Sequence, residues 1–357
     1  MKYIIAIGDI HIQKNNIGEI EELFNETIKY VKKNKEEIKF VVLLGDVLHT
    51  FERTNQQPFD RACNFIISLS KYTKVFVIIG NHDRPNKNIF LTDEHFFNPL
   101  KKTKNIVIVD DVNIYEDDEG NMFGFVPYVF PGRFQEALDK YKEGDEDCYV
   151  DNCKVLFCHQ EFKGCIMGPI KSDMGDEWDI TDTPIISGHI HEFHFPQKNI
   201  FYVPTPIQHS FTDATEKFIA KISFDKENKL ENKFIRNITY EKLYMNVKRK
   251  RQLTMSFDEY KEYEESDEFV DGSEFITKII IEGDSKVIRD YISKNKKIKE
   301  DGSLFIEVKD NIRKESSKIV DKLKQGNKIM NFKERLKELI DNLDEELKQE
   351  FNKIMET

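Results

Sequence analysis

The sequence predicts an α/β protein in which strands buried in sheets alternate with helices. Short apolar runs rich in Val and Ile recur from residue 2 to about residue 225, and stretches with apolar positions at helical spacing separate them. Runs of this kind are typical of strands covered on both faces. The residues alone leave two layerings open, helix-sheet-sheet-helix and helix-sheet-helix.

Nine apolar runs in this region predict strands. In chain order they are YIIAIGD, KFVVLLGD, VFVIIGNHD, NIVIVDD, MFGFVPY, KVLFCHQ, PIISGHIH, IFYVPTP and FIAKISFD. Two amphipathic stretches, IEELFNETIKYVKK and FDRACNFIISLSKY, predict helices between the first three runs.

The composition changes after about residue 226, where the chain becomes acidic and poor in aliphatic residues. We interpret 226–272 as loops joining two units. Beyond it, FITKIIIEGD, SKVIRDYISKN and SLFIEVKD predict a strand, a helix and a strand. The basic stretch NVKRKRQ at 246–252 fits either a solvated charged turn or a phosphate-binding patch.

The C-terminal stretch NFKERLKELIDNLDEELKQEFNKIMET carries one apolar stripe on a charged helix. The stripe fits a helix docked on its own protein and a helix offered to a partner's coiled coil equally well. We therefore divide the chain into a large domain (1–230), a small α/β module (231–315) and a helical tail (316–357).

Composition narrows the class of protein. The longest apolar runs span about six residues, whereas a membrane-spanning helix needs ~20, and no signal peptide is evident, so we expect a cytoplasmic protein without a membrane anchor. The net charge of −11 argues against a surface that binds polyanions over its whole extent. The chain has five cysteines, Cys63, Cys148, Cys153, Cys158 and Cys165, and no CxxC pair. This pattern predicts reduced thiols, and a thiolate metal site is the less favoured alternative.

Metal-ligand residues follow the apolar runs at the places where the predicted strands end. Because such ends converge in one crevice of an α/β sheet, these side chains should meet. One strand-end Asp is usually a turn residue, but turns do not call for His, so the whole set favours a metal site. The set contains seven side chains, which suit two divalent ions that share Asp46, with Mn, Fe or Zn as candidates. The seven residues are Asp9, His11, Asp46, Asn81, His159, His189 and His191. Three histidines outside these motifs are interpreted as bystanders: His95, His194 and His209.

The ordered motifs D-x-H, G-D, G-N-H-D, H and G-H-x-H over residues 9–191 resemble the calcineurin-like metallophosphoesterase superfamily. Within it, the GDVLH variant, the following module and the tail resemble the SbcD and MRE-eleven DNA-repair nuclease subunits, including the recombination endonuclease subunit of T-even-type phages. The resemblance implies a four-layer α/β/β/α fold and two metals, usually Mn²⁺. It places Asp9, His11, Asp46 and His191 around one ion, and Asp46, Asn81, His159 and His189 around the other.

The resemblance also implies roles next to the metals. His82 is expected beside the scissile phosphate as a proton donor, and His49 as a second histidine facing the substrate. Asp83 would hold the tautomer of His82, or else cap the turn before Arg84-Pro85. The small module would cap the site and steer DNA, and the tail would bind an SMC-type, SbcC-like ATPase. Relatives commonly form homodimers.

We therefore expect a metal-dependent hydrolase, namely a DNA exo/endonuclease subunit of an SbcCD-like repair or recombination complex. It would work in the cytoplasm of a bacterium or of a virus-infected host cell. A stand-alone phosphodiesterase or phosphatase for nucleotides or phosphoproteins is the alternative, and a scaffold with a vestigial metal site is a third possibility. The acidic composition departs from what a DNA-binding protein usually shows.

Overall fold

The computed structural model describes residues 2–51, 53, 55–142, 150–224, 238–266, 274–295, 303–310 and 330–331. They divide into two compact units. The first comprises Met1–Met167, Ser172–His209 and Glu216–Val247, and the second Gly168–Lys171, Ser210–Thr215 and Lys248–Thr357, within the described ranges. None of the described helices is long and apolar enough to span a membrane.

The described part of the chain contains five α-helices and eighteen β-strands. In order they are β1 (Tyr3–Ile7), α1 (Ile17–Asn34), β2 (Ile38–Leu43), α2 (Gln56–Ser70), β3 (Lys74–Ile78), β4 (Ile106–Val109), β5 (Asn113–Glu116), β6 (Met122–Val126), α3 (Phe134–Lys142), β7 (Leu156–His159), β8 (Ile166–Met167), β9 (Ile170–Lys171), β10 (Ile185–Gly188), β11 (His194–Gln197), β12 (Ile200–Tyr202), β13 (Ile219–Phe224), β14 (Ile238–Leu243), β15 (Arg249–Ser256), α4 (Phe257–Glu265), β16 (Phe275–Gly283), α5 (Ser285–Asn295), β17 (Leu304–Asp310) and β18 (Met330–Asn331). Short 3₁₀ turns cover Asn98–Lys102 and Val150–Asn152.

The first unit contains two six-stranded sheets. One has the order β14-β13-β1-β2-β3-β4, in which β1 to β4 are parallel to one another and β13 pairs antiparallel with both β1 and β14. The other has the order β11-β12-β10-β7-β6-β5, with a parallel centre and antiparallel edge strands β5 and β11. Every residue of β1, β7 and β10 is buried, as their apolar runs predict.

The two sheets pack face to face, and helices cover their outer faces. Phe76 of β3 stacks on Phe125 of β6 between the sheets, with ring centroids 4.0 Å apart. Outside the first sheet, Phe24 of α1 stacks on Phe65 of α2 at 3.8 Å. Outside the second sheet, α3 packs through Phe134 and other apolar residues. The four-layer α/β/β/α prediction is therefore confirmed, and the three-layer alternative is wrong.

The second unit is a three-stranded parallel sheet, β15-β16-β17, with α4 and α5 packed on it. Tyr260 of α4, Ile279 of β16 and Ile288 of α5 form its small core. The predicted strand, helix and strand over residues 275–310 are present as β16, α5 and β17. The predicted tail lies outside the described residues except for Met330–Asn331, so the division at 230 and 315 stays a prediction.

The interpretation of 226–272 as loops is wrong for its described part, which contains β14, β15 and α4. The missed signal is a capping box: the Ser256 hydroxyl accepts from the backbone of Glu259, whose carboxylate accepts from the backbone N–H of Ser256. The basic stretch begins a strand, with the guanidinium groups of Arg249 and Arg251 over the Phe275 ring. The solvated-turn interpretation is thus also wrong, and the phosphate-binding patch stays a prediction.

No disulfide links the cysteines in the described part of the chain, Cys63, Cys153, Cys158 and Cys165, and Cys148 lies outside it. None of the metal-ligand clusters found among the described residues contains a cysteine. The structure thus agrees with reduced thiols.

An ion pair between Lys39 and Asp117 joins the two sheets away from the predicted metal site. Lys39 of β2 donates to the buried carboxylate of Asp117, in the turn between β5 and β6. Burial alone would raise the pKa of Asp117, but bonds from Lys39, from the Asn121 side chain and from backbone N–H groups outweigh it and lower the pKa to about 2. A carboxyl with a depressed folded-state pKa adds stability above its unfolded pKa of ~3.9 and loses it as the pH falls towards the folded value.

We expect Asp117→Asn to lower the free energy of unfolding at pH 7 by on the order of 1–2 kcal/mol. The difference in free energy of unfolding between the variant and wild type should narrow as the pH falls from ~4 towards 2, because Asp117 of the wild-type protein is then protonated. Urea denaturation across this pH range measures both effects. The neighbouring exposed Asp118→Asn is the matched control, and equal losses in the two variants would contradict the role of the ion pair.

Candidate metal centre

The structure brings all seven predicted metal ligands together at one edge of the two sheets. Asp9 and His11 follow β1, Asp46 follows β2, and Asn81 follows β3. From the second sheet, His159 ends β7, and His189 and His191 follow β10. Because β1, β2 and β3 run parallel, as do β7 and β10, their carboxyl ends share an edge.

A first group of ligand atoms surrounds the Nε2 atom of His11. This nitrogen lies 3.0 Å from His191 Nε2, 3.6 Å from Asp46 Oδ2 and 4.0 Å from Asp9 Oδ2. Asp9 Oδ2 also lies 3.6 Å from His191 Nε2. Atoms bound to one ion at ~2.1 Å are separated by about 3 to 4 Å, so these side chains fit a common cation.

A second group surrounds the side-chain oxygen of Asn81. Asn81 Oδ1 lies 3.0 Å from His159 Nε2 and 3.0 Å from His189 Nδ1. The two ring nitrogens are 3.2 Å apart, and His159 Nε2 is 3.3 Å from Asp46 Oδ2. The Nδ1–H of His159 donates to the carbonyl of Leu44 at 2.8 Å, which leaves Nε2 directed into the group.

Asp46 Oδ2 belongs to both groups, since it lies 3.6 Å from His11 Nε2 and 3.3 Å from His159 Nε2. The other oxygen, Oδ1, accepts from the backbone N–H of His82 at 2.8 Å. A carboxylate held by one oxygen and shared through the other is the arrangement expected of a bridging ligand. The donor set of the two groups therefore fits two divalent ions.

The backbone around the site is strained. His11, Asp46 and His189 have φ values of 47°, 47° and 79°, in the left-handed region that few residues other than glycine adopt. Gly45 is also left-handed, at φ 102°, and a Cβ there would lie 2.3 Å from Nδ1 of His159. Only glycine allows His159 to lie against the chain that carries Asp46.

The electrostatics of the buried site favour positive charge. Burial raises the pKa of Asp9 to about 7, and the Asp46 carboxylate adds to this rise. His159 has its pKa raised to about 9 despite its burial, because Asp46 and Asp9 stabilise a charged imidazole. Burial lowers the pKa of His189 to about 3 and that of His11 well below its usual value, so both keep a lone pair for coordination at neutral pH.

His82 and His49 lie beside the two groups. The Nδ1–H of His82 donates to the carbonyl of His49 at 2.6 Å, so Nε2 is the nitrogen left for proton transfer. That Nε2 lies 3.9 Å from Asp46 Oδ2. His49 Nδ1 is 3.4 Å from Nδ1 of His11, on the side of the His11 ring that faces away from the first group. His49 thus contacts a predicted ligand as well as bordering the site.

Asp83 does not contact the His82 imidazole among the described contacts, and it does not cap the turn that follows. Its Oδ1 accepts from the backbone N–H of Leu48 at 2.9 Å, and its Oδ2 from those of Gly80 at 3.1 Å and Val47 at 3.3 Å. The buried carboxylate therefore ties the loop after β2 to the loop after β3. The expected support of the His82 tautomer comes from the His49 carbonyl instead.

His209 was missed as a neighbour of the site. Its ring makes edge contacts with His11 at 5.3 Å and with His191 at 5.7 Å between centroids, and its Nε2–H donates to the carbonyl of Asp9 at 3.3 Å. No local signal marks it, because it lies seven residues after the end of β12. The other two histidines are bystanders as predicted: His95 contacts Asp110, and His194 Nε2 accepts from the backbone N–H of Ile166.

Two further residues brace the site from outside the predicted set. The buried amine of Lys217 donates to the carbonyl of His191 at 3.0 Å. Tyr128 follows β6, and its ring lies 5.6 Å from that of His189 and 6.0 Å from that of His159. Lys217 precedes β13 and so lies away from the strand ends that the sequence marks, whereas Tyr128 ends the run MFGFVPY but is not one of the ligand types that were sought there.

Comparison with known proteins agrees with this geometry. Residues 2–193 match the calcineurin-like phosphoesterase family. The chain belongs to that family. Members bind divalent metal ions. Among the described residues, three groups of side chains could hold such an ion: Asp9 with His11 and His191, Asp46 with His159 and His189, and His11 with His49 and His82. The prediction at this level is confirmed: the protein is a metallophosphoesterase, a hydrolase of phosphate esters.

The curated relatives are viral. The chain is 39% identical over 222 residues to a protein named as a phosphoesterase, 244L of Invertebrate iridescent virus 6, which covers 62% of this chain and 76% of the relative. It is 40% identical over 220 residues to a similarly named protein, 078R of Invertebrate iridescent virus 3, covering 61% of each chain. A hypothetical protein from Thermus thermophilus aligns structurally at 11% identity and a TM-score of 0.35, over 67% of this chain and 98% of that one.

We expect Asp83→Asn to lower the free energy of unfolding of the metal-free protein by roughly 1–3 kcal/mol, because an amide leaves at least one buried backbone N–H facing another donor. Chemical denaturation in the presence of a chelator measures this loss. Exposed Asp93→Asn, in the same loop region, is the matched control. A stable Asp83→Asn protein with a displaced pH–rate profile would instead place Asp83 in the proton-transfer path.

Proposed function

We propose that this protein is the nuclease subunit of an SbcCD-like complex, a two-metal phosphodiesterase that cleaves DNA. The observation that carries the proposal is the separation of roles around Asp46. Its Oδ2 lies in both ligand groups, while His82, outside both, has Nε2 3.9 Å from that oxygen. An imidazole left unligated beside a two-ion site suits protonation of a poor leaving group such as a DNA 3′ or 5′ oxygen.

Bound divalent ions would supply Lewis acidity towards the phosphate oxygens and would acidify a water molecule. Asp9, His11, Asp46 and His191 would hold one ion, and Asp46, Asn81, His159 and His189 the other. The chain itself contributes the fixed tautomer of His82, set by the His49 carbonyl, and the ring of His49 next to His11. Mn²⁺ is the proposed ion because mixed oxygen and imidazole ligands suit it, as they also suit Fe and Zn.

Several parts of the proposal rest on the resemblance of the sequence to SbcD and MRE-eleven proteins. They are the DNA-steering role of residues 231–315, the binding of an SMC-type ATPase by the tail at 316–357, homodimer formation, and action in the cytoplasm of a bacterium or infected host cell. The viral relatives favour the infected host cell. The GDVLH motif and about 130 residues beyond the first domain favour the nuclease over a stand-alone enzyme.

The alternative is a stand-alone phosphodiesterase or phosphatase for nucleotides or phosphoproteins. The family match and the metal-site geometry fit it equally well, since both concern the chemistry at phosphorus and not the groups attached to it. The substrate must therefore be decided by experiment.

The deciding experiment incubates the purified protein and Mn²⁺ with end-labelled duplex DNA, single-stranded DNA and bis-p-nitrophenyl phosphate. We expect Asp46→Ala to lose activity on all three and to bind fewer Mn²⁺ ions in calorimetric titration. His82→Ala should bind Mn²⁺ normally and lose on the order of 10²- to 10⁴-fold on DNA. It should retain a larger fraction of its activity on the nitrophenyl ester, whose leaving group departs without a proton.

His194→Gln, a half-buried histidine with contacts elsewhere, is the matched control for loss of an imidazole. Hydrolysis of the nitrophenyl ester with intact DNA would favour the stand-alone enzyme. No turnover of any substrate, with Mn²⁺ bound or not, would favour the scaffold with a vestigial site.

A further inference from the structure

An aromatic side chain, that of Phe51, borders the site beside His82. The ring of Phe51 stacks on the imidazole of His82, with centroids 4.3 Å apart and planes inclined by 26°. His49 lies nearly parallel to the same imidazole, at 5.5 Å and 11°. Phe51 is nevertheless 36% exposed, so part of its ring is available to solvent directly beside the proposed proton donor.

The position of this ring relative to a bound phosphodiester follows from the hydrogen bond of His82. Since Nδ1 donates to the His49 carbonyl, the edge of the imidazole that carries Nε2 points towards Asp46 and the ligand groups. A scissile phosphate would meet that edge. Phe51 contacts the face of the imidazole and not its edge, so it would flank the phosphate without competing for it.

We propose that Phe51 is a specificity-determining residue that stacks on a nucleobase of the bound substrate. In a nucleotide, one sugar separates the base from its phosphate, which suits a phosphate at the edge of His82 and a base against the neighbouring ring. The proposal deepens the proposed phosphodiesterase function and rests on it. It assigns the substrate to phosphodiesters that carry an aromatic base, with no preference among bases, because every base offers a π-face.

Charge supports the same assignment. With a net charge of −11, the protein has little general attraction for a polyanion, so phosphate contacts alone are a weak source of affinity. Stacking of a base on an aromatic side chain does not depend on a basic surface. An exposed aromatic ring at the site therefore supplies an attraction that the overall charge of this chain does not.

The test compares kcat/KM for single-stranded oligonucleotides that carry thymine throughout with those in which the nucleotides at the labelled end are abasic. Wild type should prefer the base-bearing DNA by about 10-fold or more. Phe51→Leu should bring this ratio close to one, and Phe51→Trp should preserve it. Phe195→Leu is the matched control, since Phe195 is 37% exposed and lies on β11, and it should leave the ratio at the wild-type value.

A ratio that stays at the wild-type value in Phe51→Leu would overturn the inference, even if both rates fall, because a ring that only orients His82 affects both substrates alike. The same preference measured on RNA but not on DNA would support the role of Phe51 and assign the base to RNA. Wild-type protein that hydrolyses p-nitrophenyl phosphate but no nucleic acid would overturn the proposed function itself, and the inference with it.

Discussion

The carboxylate of Asp46 is the constraint on which the rest of the site depends. It is buried between two sheets, where an ionised carboxylate is stable only with compensating charge or hydrogen bonds. Its Oδ1 is held by the backbone of His82, and its Oδ2 lies within reach of His11 and His159. The imidazoles lower the pKa of Asp46 strongly, although burial opposes them. The surroundings of Asp46 thus favour its ionised form, which attracts a positively charged ligand.

Holding Asp46 in this position requires unusual backbone, and the neighbouring residues maintain it. A Cβ at Gly80 would lie 2.2 Å from Asp46 Oδ1, so the loop after β3 must pass the carboxylate without a side chain. Asp83, three residues later, accepts three backbone N–H groups from the two loops. Strained conformations persist where surrounding bonds over-determine them. The conformation of Asp46 is therefore a property of both loops together.

The chemistry at phosphorus and the choice of substrate are separable in this molecule. Divalent ions held by the two ligand groups would polarise any phosphate ester, and the family match concerns that chemistry alone. Discrimination between esters then depends on side chains other than the ligands, and the rings of Phe51 and His49 lie 4.3 and 5.5 Å from that of His82. Related phosphoesterases can thus share the ligand set and still act on different esters.

The sequence by itself determined nine of the twelve strands of the two sheets and the seven side chains that meet at their ends, because apolar runs and the residues that end them are local patterns. It did not determine the edge strands β5, β11 and β14. It did not determine the layering, the partners of Asp83 or the place of His209. Asp83 is bound to Leu48, 35 positions away, and His209 to Asp9, 200 positions away. The first contact depends on the pairing of β2 with β3 in one sheet, and the second on how the two sheets pack face to face, so only the tertiary structure decides them.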